Sequence, residues 1–320
     1  MPPSFSDFPP PASAFPKRFK LHGFYFRVFR ERIKRMIDDA DEVFKAEQKL
    51  KSIRVNTLKI GREEIYERLS EKFEVREMKW YENGFFVDGE VSKTIEHYLG
   101  YYYIQEASSM LPPLALELDK NDFVLDLCSA PGSKATQMAM IMENKGCIIA
   151  NDISMDRLKA LTHNVQKSGA LNCIITNYDA RNFHKTGLKF DKILLDAPCT
   201  ASGKILKNKR IAEKWNYRRV RYMSGLQKRL IKSAFHCLKK GGALVYSTCS
   251  LEPEENEEVI DYALKNFDFE TEKIKFKGIK TRKGIKKWND RQYEGAEEAV
   301  RIWPHDNLTE GFFICRLRKC

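Results

Sequence analysis

An α/β architecture, a doubly wound parallel sheet with helices on both faces preceded by a small α+β unit, is what this chain predicts, on three observations. Residues 123–134 read F-V-L-D-L-C-S-A-P-G-S-K, a buried parallel strand that ends in a tight turn before a helix. Strand-like and helix-like segments then alternate almost to the C-terminus, the pattern of βα units. Carboxylates close successive strands, at Asp152, Asp179 and Asp196.

The 320 residues suit two domains with a real core. A composition of 42% hydrophobic and 31% charged residues is that of a soluble protein. No window approaches the roughly 18 apolar residues of a membrane span, and the start lacks a signal peptide's apolar run, so no membrane partner and a cytoplasmic location are expected. Eight cysteines, all from Cys128 onward, form no C-x-x-C pair and no zinc spacing. Free thiols and no metal are therefore expected.

The net charge of +12 is unevenly placed. Three segments, Lys17–Arg35, Lys204–Arg221 and Lys273–Arg291, together carry +22, which leaves −10 for the rest. Basic stripes on an otherwise acidic protein point to a polyanion, and nucleic acid is the first candidate.

In chain order, residues 1–20 form a Pro-rich flexible arm. Phe26, Phe29, Ile33, Met36 and Ile37 recur at helical spacing with arginines and lysines on the other faces, a basic amphipathic helix that lies on RNA or on its own protein. A strand over 53–58, a helix over 62–73 and strands near 75–78 and 85–87 complete, within residues 21–105, a small unit of the kind that serves as an RNA platform. Tyr101-Tyr102-Tyr103 either stack on bases or pack a strand. A helix over about 106–118 opens the larger domain, 106–320.

There the expected elements are the strand at 123, a helix from Lys134, a strand over 147–151, a helix over 154–169, strands over 172–177 and 190–195, a helix over 222–240 capped by Gly241-Gly242, and a strand over 243–247. A helix opened by Pro253 and neighbouring glutamates follows, then a strand over 312–317. Right-handed crossovers bring the strand ends to one edge. Asp152, about 20 residues past the glycine turn, is placed to accept the ribose hydroxyls of a cofactor. Asp179 suits an adenine amino group, and Lys134 and Arg157 a carboxylate tail. The most specific signals are D-A-P-C-T at 196–200 and S-T-C-S at 247–250, which put two thiols at adjacent strand ends beside a carboxylate.

With those residues stands a wider resemblance: R-V-N-T-L-K at 54–59, Y-I-Q-E-A-S-S-M at 103–110, L-C-S-A-P-G-S-K at 127–134, Y-S-T-C-S-L-E-P-E-E-N-E at 246–257, R-I-W-P-H at 301–305 and G-F-F-I at 311–314. From about Arg54 to the end the sequence resembles the Sun/NSUN family of RNA cytosine-5 methyltransferases, and within it the compact archaeal tRNA enzymes. Ser133 departs from the family, which has a second glycine there. The resemblance implies a class I, Rossmann-like S-adenosylmethionine-dependent methyltransferase with a small N-terminal α+β RNA-binding domain. By the same resemblance S-adenosyl-L-methionine lies on Cys128, Ser129, Ala130, Pro131, Gly132, Ser133, Lys134, Asp152, Arg157, Asp179 and Asp196, Cys249 is the nucleophile, and Cys199 assists product release. The implied partner is RNA, tRNA ahead of ribosomal RNA, and an auxiliary RNA-binding protein is kept as a further partner. The reading from another class is a non-catalytic RNA-binding or assembly protein. A DNA enzyme of this chemistry would use Cys199 as nucleophile and leave Cys249 unexplained.

Overall fold

The computed structural model describes residues 19–46 and 50–320, so most of the expected Pro-rich arm lies outside the described residues. Two helices come first, α1 (Phe19–Met36) and α2 (Ala40–Lys45). The small unit follows as β1 (Lys51–Val55), α3 (Arg62–Ser70), β2 (Glu74–Glu77), β3 (Gly84–Asp88), α4 (Ile95–Tyr98) and β4 (Tyr102–Ile104). Its sheet runs β2-β3-β1-β4, antiparallel throughout. Tyr102 is buried with its hydroxyl donating to the Val91 carbonyl at 2.6 Å, so the middle tyrosine of the triplet packs the strand.

The large domain comprises α5 (Leu111–Ala115), β5 (Phe123–Asp126), α6 (Ser133–Ile141), β6 (Cys147–Asn151), α7 (Met155–Ser168), β7 (Cys173–Thr176), β8 (Phe190–Asp196), α8 (Lys209–Lys214), α9 (Tyr217–Cys237), β9 (Leu238–Thr248) and α10 (Glu257–Asn266). After these come β10 (Phe269–Glu272), β11 (Arg282–Lys283), β12 (Lys287–Trp288), β13 (Arg291–Gln292), β14 (Val300–Ile302), α11 (Pro304–Asn307) and β15 (Phe312–Lys319). The main sheet runs β11-β14-β15-β9-β8-β5-β6-β7, with β10 on β15. Strands β5 to β9 are parallel, and the order reverses at β5, where β6 and β8 flank it. Both faces are buried, as a parallel sheet requires. Leu125, Leu195, Leu244 and Tyr246 face α9 and α10, while Val124, Ile148, Leu194 and Val245 face α6 and α7.

Four expectations are corrected. The helix expected over 106–118 is a turn at Ser108–Met110 and the short α5, because Pro112 and Pro113 lack the N–H that a continuing helix needs. The helix expected to reach 240 ends at Cys237, and Gly241, at φ +74°, turns the chain inside β9 where its register on β8 shifts. Pro253 opens only a single turn, Pro253–Glu255, and α10 begins at Glu257. The closing strand β15 is antiparallel to β9 and β14, since the link from β14 is too short for a crossover.

The apolar stripe of α1 lies on its own protein: Phe29 and Ile33 share a core with Ile205, Trp215, Val220, Leu251 and Trp303. Phe29 packs edge-on to Trp215 at 5.6 Å, and Arg35 sits 4.7 Å from the centre of the Trp288 ring. The three basic segments therefore converge. Part of their charge is spent on acids of the same protein, with Arg32 on the buried Glu252 and Glu254 at 2.7 and 2.8 Å, and Arg282 on the half-exposed Asp39 and the enclosed carboxylate of Asp306 at 2.6 Å each. Arg32 thereby explains Glu252 and Glu254, the glutamates on either side of Pro253. No described helix is long and apolar enough to cross a membrane.

Candidate active site

The turn after β5 is held from both sides. The Ser129 N–H donates to the Asn151 carbonyl at 2.7 Å, and the Asn151 amide donates to the Leu127 carbonyl at 3.2 Å. Gly132, at φ +100°, starts α6 in a conformation that disfavours any side chain, and a Cβ there would meet Leu161 Cδ1 at 2.7 Å. Ser133 and Lys134 open the helix, so their backbone N–H groups face the crevice at the strand-order reversal, where such folds bind ligands. Ser133 in place of the family's glycine leaves this geometry intact.

Asp152, buried after β6, accepts the Ala130 N–H at 3.2 Å and the Ser154 N–H at 2.9 Å. Arg157 lies 3.1 Å from the same carboxylate and also donates to the Ala130 carbonyl. Asp179, after β7, is gripped by the Arg181 guanidinium at 2.7 and 2.9 Å, which holds its carboxyl below the usual range. Cys128 is half-buried, and burial pushes its thiol up. Asp126, the last residue of β5, is buried with no hydrogen bond of normal geometry to either oxygen, and burial pushes its carboxyl up to about 7. The Ser129 hydroxyl is equally unspent. A turn that carries unsatisfied polar groups beside Asp152 and free helix-opening N–H groups fits an adenosyl cofactor with an amino-acid tail.

The Lys134 ammonium lies 2.7 Å from Asp196 and 3.1 Å from the Ser109 hydroxyl. Asp196, ending β8, also accepts the Ser247 hydroxyl at 2.8 Å. Beyond it Cys199 and Cys249 touch, with sulfur atoms 3.3 Å apart. Contact with Cys249 and burial push the Cys199 thiol well above its ordinary range. A thiol pair in contact titrates as a unit, so its first proton loss belongs to the pair. The flanking segments are fixed by Glu255, which accepts the Thr200 N–H at 2.8 Å and the Gln227 amide at 3.1 Å, and by Asn256, whose amide holds the Ser250 carbonyl at 2.8 Å. Arg54 ties the small unit to this centre, donating to Gln105 and to Thr136 of α6 at 2.8 Å each.

Sequence reasoning missed Ser109, Ser247 and Glu255. Each lies inside a motif singled out above, but a serine or a glutamate in a run of its kind carries no mark of direction.

The fold and the site define a Rossmann-like S-adenosylmethionine-dependent methyltransferase. Residues 113–318 match the profile of the 16S rRNA methyltransferases RsmB/F, and residues 27–107 that of the N-terminal domain of 16S rRNA methyltransferase RsmF. The chain belongs to the RsmB/F family. It is 45% identical over 273 residues to the tRNA (cytosine(49)-C(5))-methyltransferase of Pyrococcus abyssi, covering 84% of this chain and 88% of that one. It is 40% identical to ribosomal RNA small subunit methyltransferase F of Shewanella piezotolerans, covering 84% of this chain and 57% of that one. Among solved structures, a methyltransferase homolog protein from Pyrococcus horikoshii superposes with a TM-score of 0.82 at 34% identity, over 95% of this chain and all of that one. NSun6 from Pyrococcus horikoshii, solved with the S-adenosylmethionine analogue SFG, superposes with a TM-score of 0.81 at 26% identity, over 91% of this chain and 97% of that one.

Replacing Asp152 by alanine is expected to weaken S-adenosylmethionine binding by roughly ten- to a hundredfold in calorimetry, because a charge-assisted acceptor contributes about 1.5–3 kcal/mol. Unchanged affinity would remove Asp152 from the cofactor site.

Proposed function

We propose that this S-adenosylmethionine-dependent RNA cytosine-5 methyltransferase acts on tRNA, with Cys249 as nucleophile, Asp196 as the base-holding acid and Cys199 as the release residue. The observation that carries the reading is the contact of two thiols from adjacent strand ends, 3.3 Å apart, beside a carboxylate at the cofactor crevice. Carbon 5 of cytosine is a weak nucleophile. Addition of the Cys249 thiolate to carbon 6 pushes electrons toward carbon 5 and ring nitrogen 3, splitting one hard step into easier ones. Asp196, with Lys134 and Ser247 fixing both its oxygens, holds nitrogen 3 as the ring gains electrons. S-adenosylmethionine, held by residues 128–134, Asp152, Arg157 and Asp179, supplies an electrophilic methyl group when bound. A base from solvent then takes the carbon-5 proton, the electron pair of that bond restores the carbon 5–carbon 6 double bond, and Cys249 leaves as thiolate, an elimination that Cys199 serves. The target base leaves its stack to enter the crevice.

The four-stranded unit and the converging basic segments form the RNA-binding surface in this reading. A reducing cytoplasm suits the eight free thiols. The higher identity with the Pyrococcus abyssi tRNA enzyme, aligned over 88% of it, favours tRNA. Ribosomal RNA is the second reading, favoured by the family profile and by the small-subunit enzymes at about 40% identity.

The test supplies purified protein and S-adenosylmethionine with unmodified tRNA and small-subunit ribosomal RNA transcripts, and maps 5-methylcytosine by bisulfite sequencing. One methylated tRNA cytosine is expected. Methylation confined to ribosomal RNA would overturn the tRNA reading, and none on either, with cofactor bound, would overturn the enzyme reading.

A further inference from the structure

Lys204 belongs to a basic segment that points to RNA, yet its ammonium turns inward. It pairs with Glu310 at 2.9 Å, and Glu310, almost buried, is also approached by Lys207 at 3.4 Å. The backbone beside Lys204 is stitched to the thiol segment: the Gly203 N–H donates to the Cys249 carbonyl at 2.9 Å, and the Gly311 N–H to the Gly203 carbonyl at 3.0 Å. A Cβ at Gly203 would lie 2.3 Å from the Gly311 oxygen and 2.9 Å from the Cys249 oxygen, so the approach requires glycine. The next side chain is thereby anchored one residue from the point where this loop meets Cys249.

The charges around the thiol pair are unbalanced. Asp196, Glu255, Glu106 and Glu310 are acids; Glu106 is half-buried, and one of its oxygens accepts the Glu310 N–H at 3.0 Å. Against them stand three ammonium groups among the described residues, with Lys207 only at the far oxygen of Glu310, 3.4 Å away. Lys134 is engaged by Asp196. Lys204 is the cation on the thiol side, and the Cys249 sulfur, Glu310 and Glu106 hold it charged. A thiolate formed among carboxylates alone would be opposed by all of them, whereas a neighbouring ammonium favours it.

We infer that Lys204 is a positioning residue for the reaction: its ammonium, aimed by Glu310, sets the fraction of Cys249 present as thiolate before the base arrives. Glu310 moderates it, since its carboxylate neutralises part of the same charge. The proton that Cys249 gives up passes to solvent and no electrons are transferred. The inference rests on Cys249 being the nucleophile, but its primary measurement does not.

The test follows alkylation of Cys249 by iodoacetamide against pH, read by peptide mass spectrometry, in a Cys199→Ala background so that only one thiol of the pair titrates. Lys204→Gln is expected to raise the midpoint by about one pH unit, an approximately tenfold slower reaction at neutral pH, and Lys204→Arg to restore it. Glu310→Gln is expected to lower the midpoint, an opposite sign that a merely structural lysine–glutamate pair would not produce. In the otherwise native enzyme the acid limb of kcat/KM moves with the same signs. An unmoved midpoint in Lys204→Gln that still melts and binds cofactor normally would overturn the proposal, as would shifts of equal sign in both variants. Normal methylation by Cys249→Ala would instead refute the nucleophile assignment, and the alkylation midpoints would still decide the role of Lys204.

Discussion

Replacement of Cys249 by alanine is expected to reduce methylation by on the order of 10⁴ or more, the scale on which enzymes lose rate with their nucleophile, while cofactor and RNA still bind. The reason is specific to the pair. The two sulfurs are 3.3 Å apart, so either could reach an incoming base by proximity alone, and removing them one at a time separates their roles. In the proposed mechanism Cys249 attacks carbon 6, and Cys199, whose thiol is pushed up by its contact with Cys249 and by burial, serves release after methyl transfer. Cys199→Ala should therefore attack and methylate but release slowly. The expected observable is a denaturation-resistant protein–RNA band that requires cofactor, appears with Cys199→Ala and vanishes in the double variant. A trapped band from Cys249→Ala would reverse the two roles, and equal turnover by all variants would return both thiols to core packing.

Much of this site was legible because a buried parallel strand writes itself as an apolar run and ends where its ligand sits. Phe123–Asp126, Cys147–Asn151 and Phe190–Asp196 each read that way, and the acids that follow them stand at one sheet edge in the structure. The direction of a long side chain was not legible. Lys134 reads as a cofactor contact from its place in the turn, and nothing in the sequence announces that its ammonium also meets Asp196 and the Ser109 hydroxyl of a separate segment. Pairing across hundreds of residues was equally hidden. Glu252 and Glu254 read as helix-opening charges, and only the folded chain brings them Arg32 from more than 200 positions away. The basic excess was read correctly as concentrated, but its innermost members, Arg32, Arg282 and Lys204, serve as counterions for buried acids.

That internal use of charge makes Arg301→Met the substitution with the largest expected cost in stability. Arg301 and Glu257 are each essentially inaccessible, and the guanidinium meets the carboxylate with two hydrogen bonds of 2.6 and 2.7 Å. Its remaining arm donates to the Leu251 carbonyl at 2.9 Å, two residues from Cys249, and its plane lies 5.7 Å from the ring centres of Trp303 and Phe313. Methionine fills much of the volume and removes the charge, so Glu257 is left with only the Ile285 N–H at 2.9 Å. Breaking one side of a buried pair costs about 3–5 kcal/mol, because the surviving charge stays desolvated. Urea unfolding should show a loss of that size in the single variant. Adding Glu257→Leu should return part of it, since the stranded charge goes, but not all, because the Ile285 N–H and Leu251 carbonyl then lack partners at about 1–3 kcal/mol each. A loss below about 1 kcal/mol in Arg301→Met would show that this pair does not stay dry, for only a water-filled site could spare Glu257 the desolvation that sets the size of the effect.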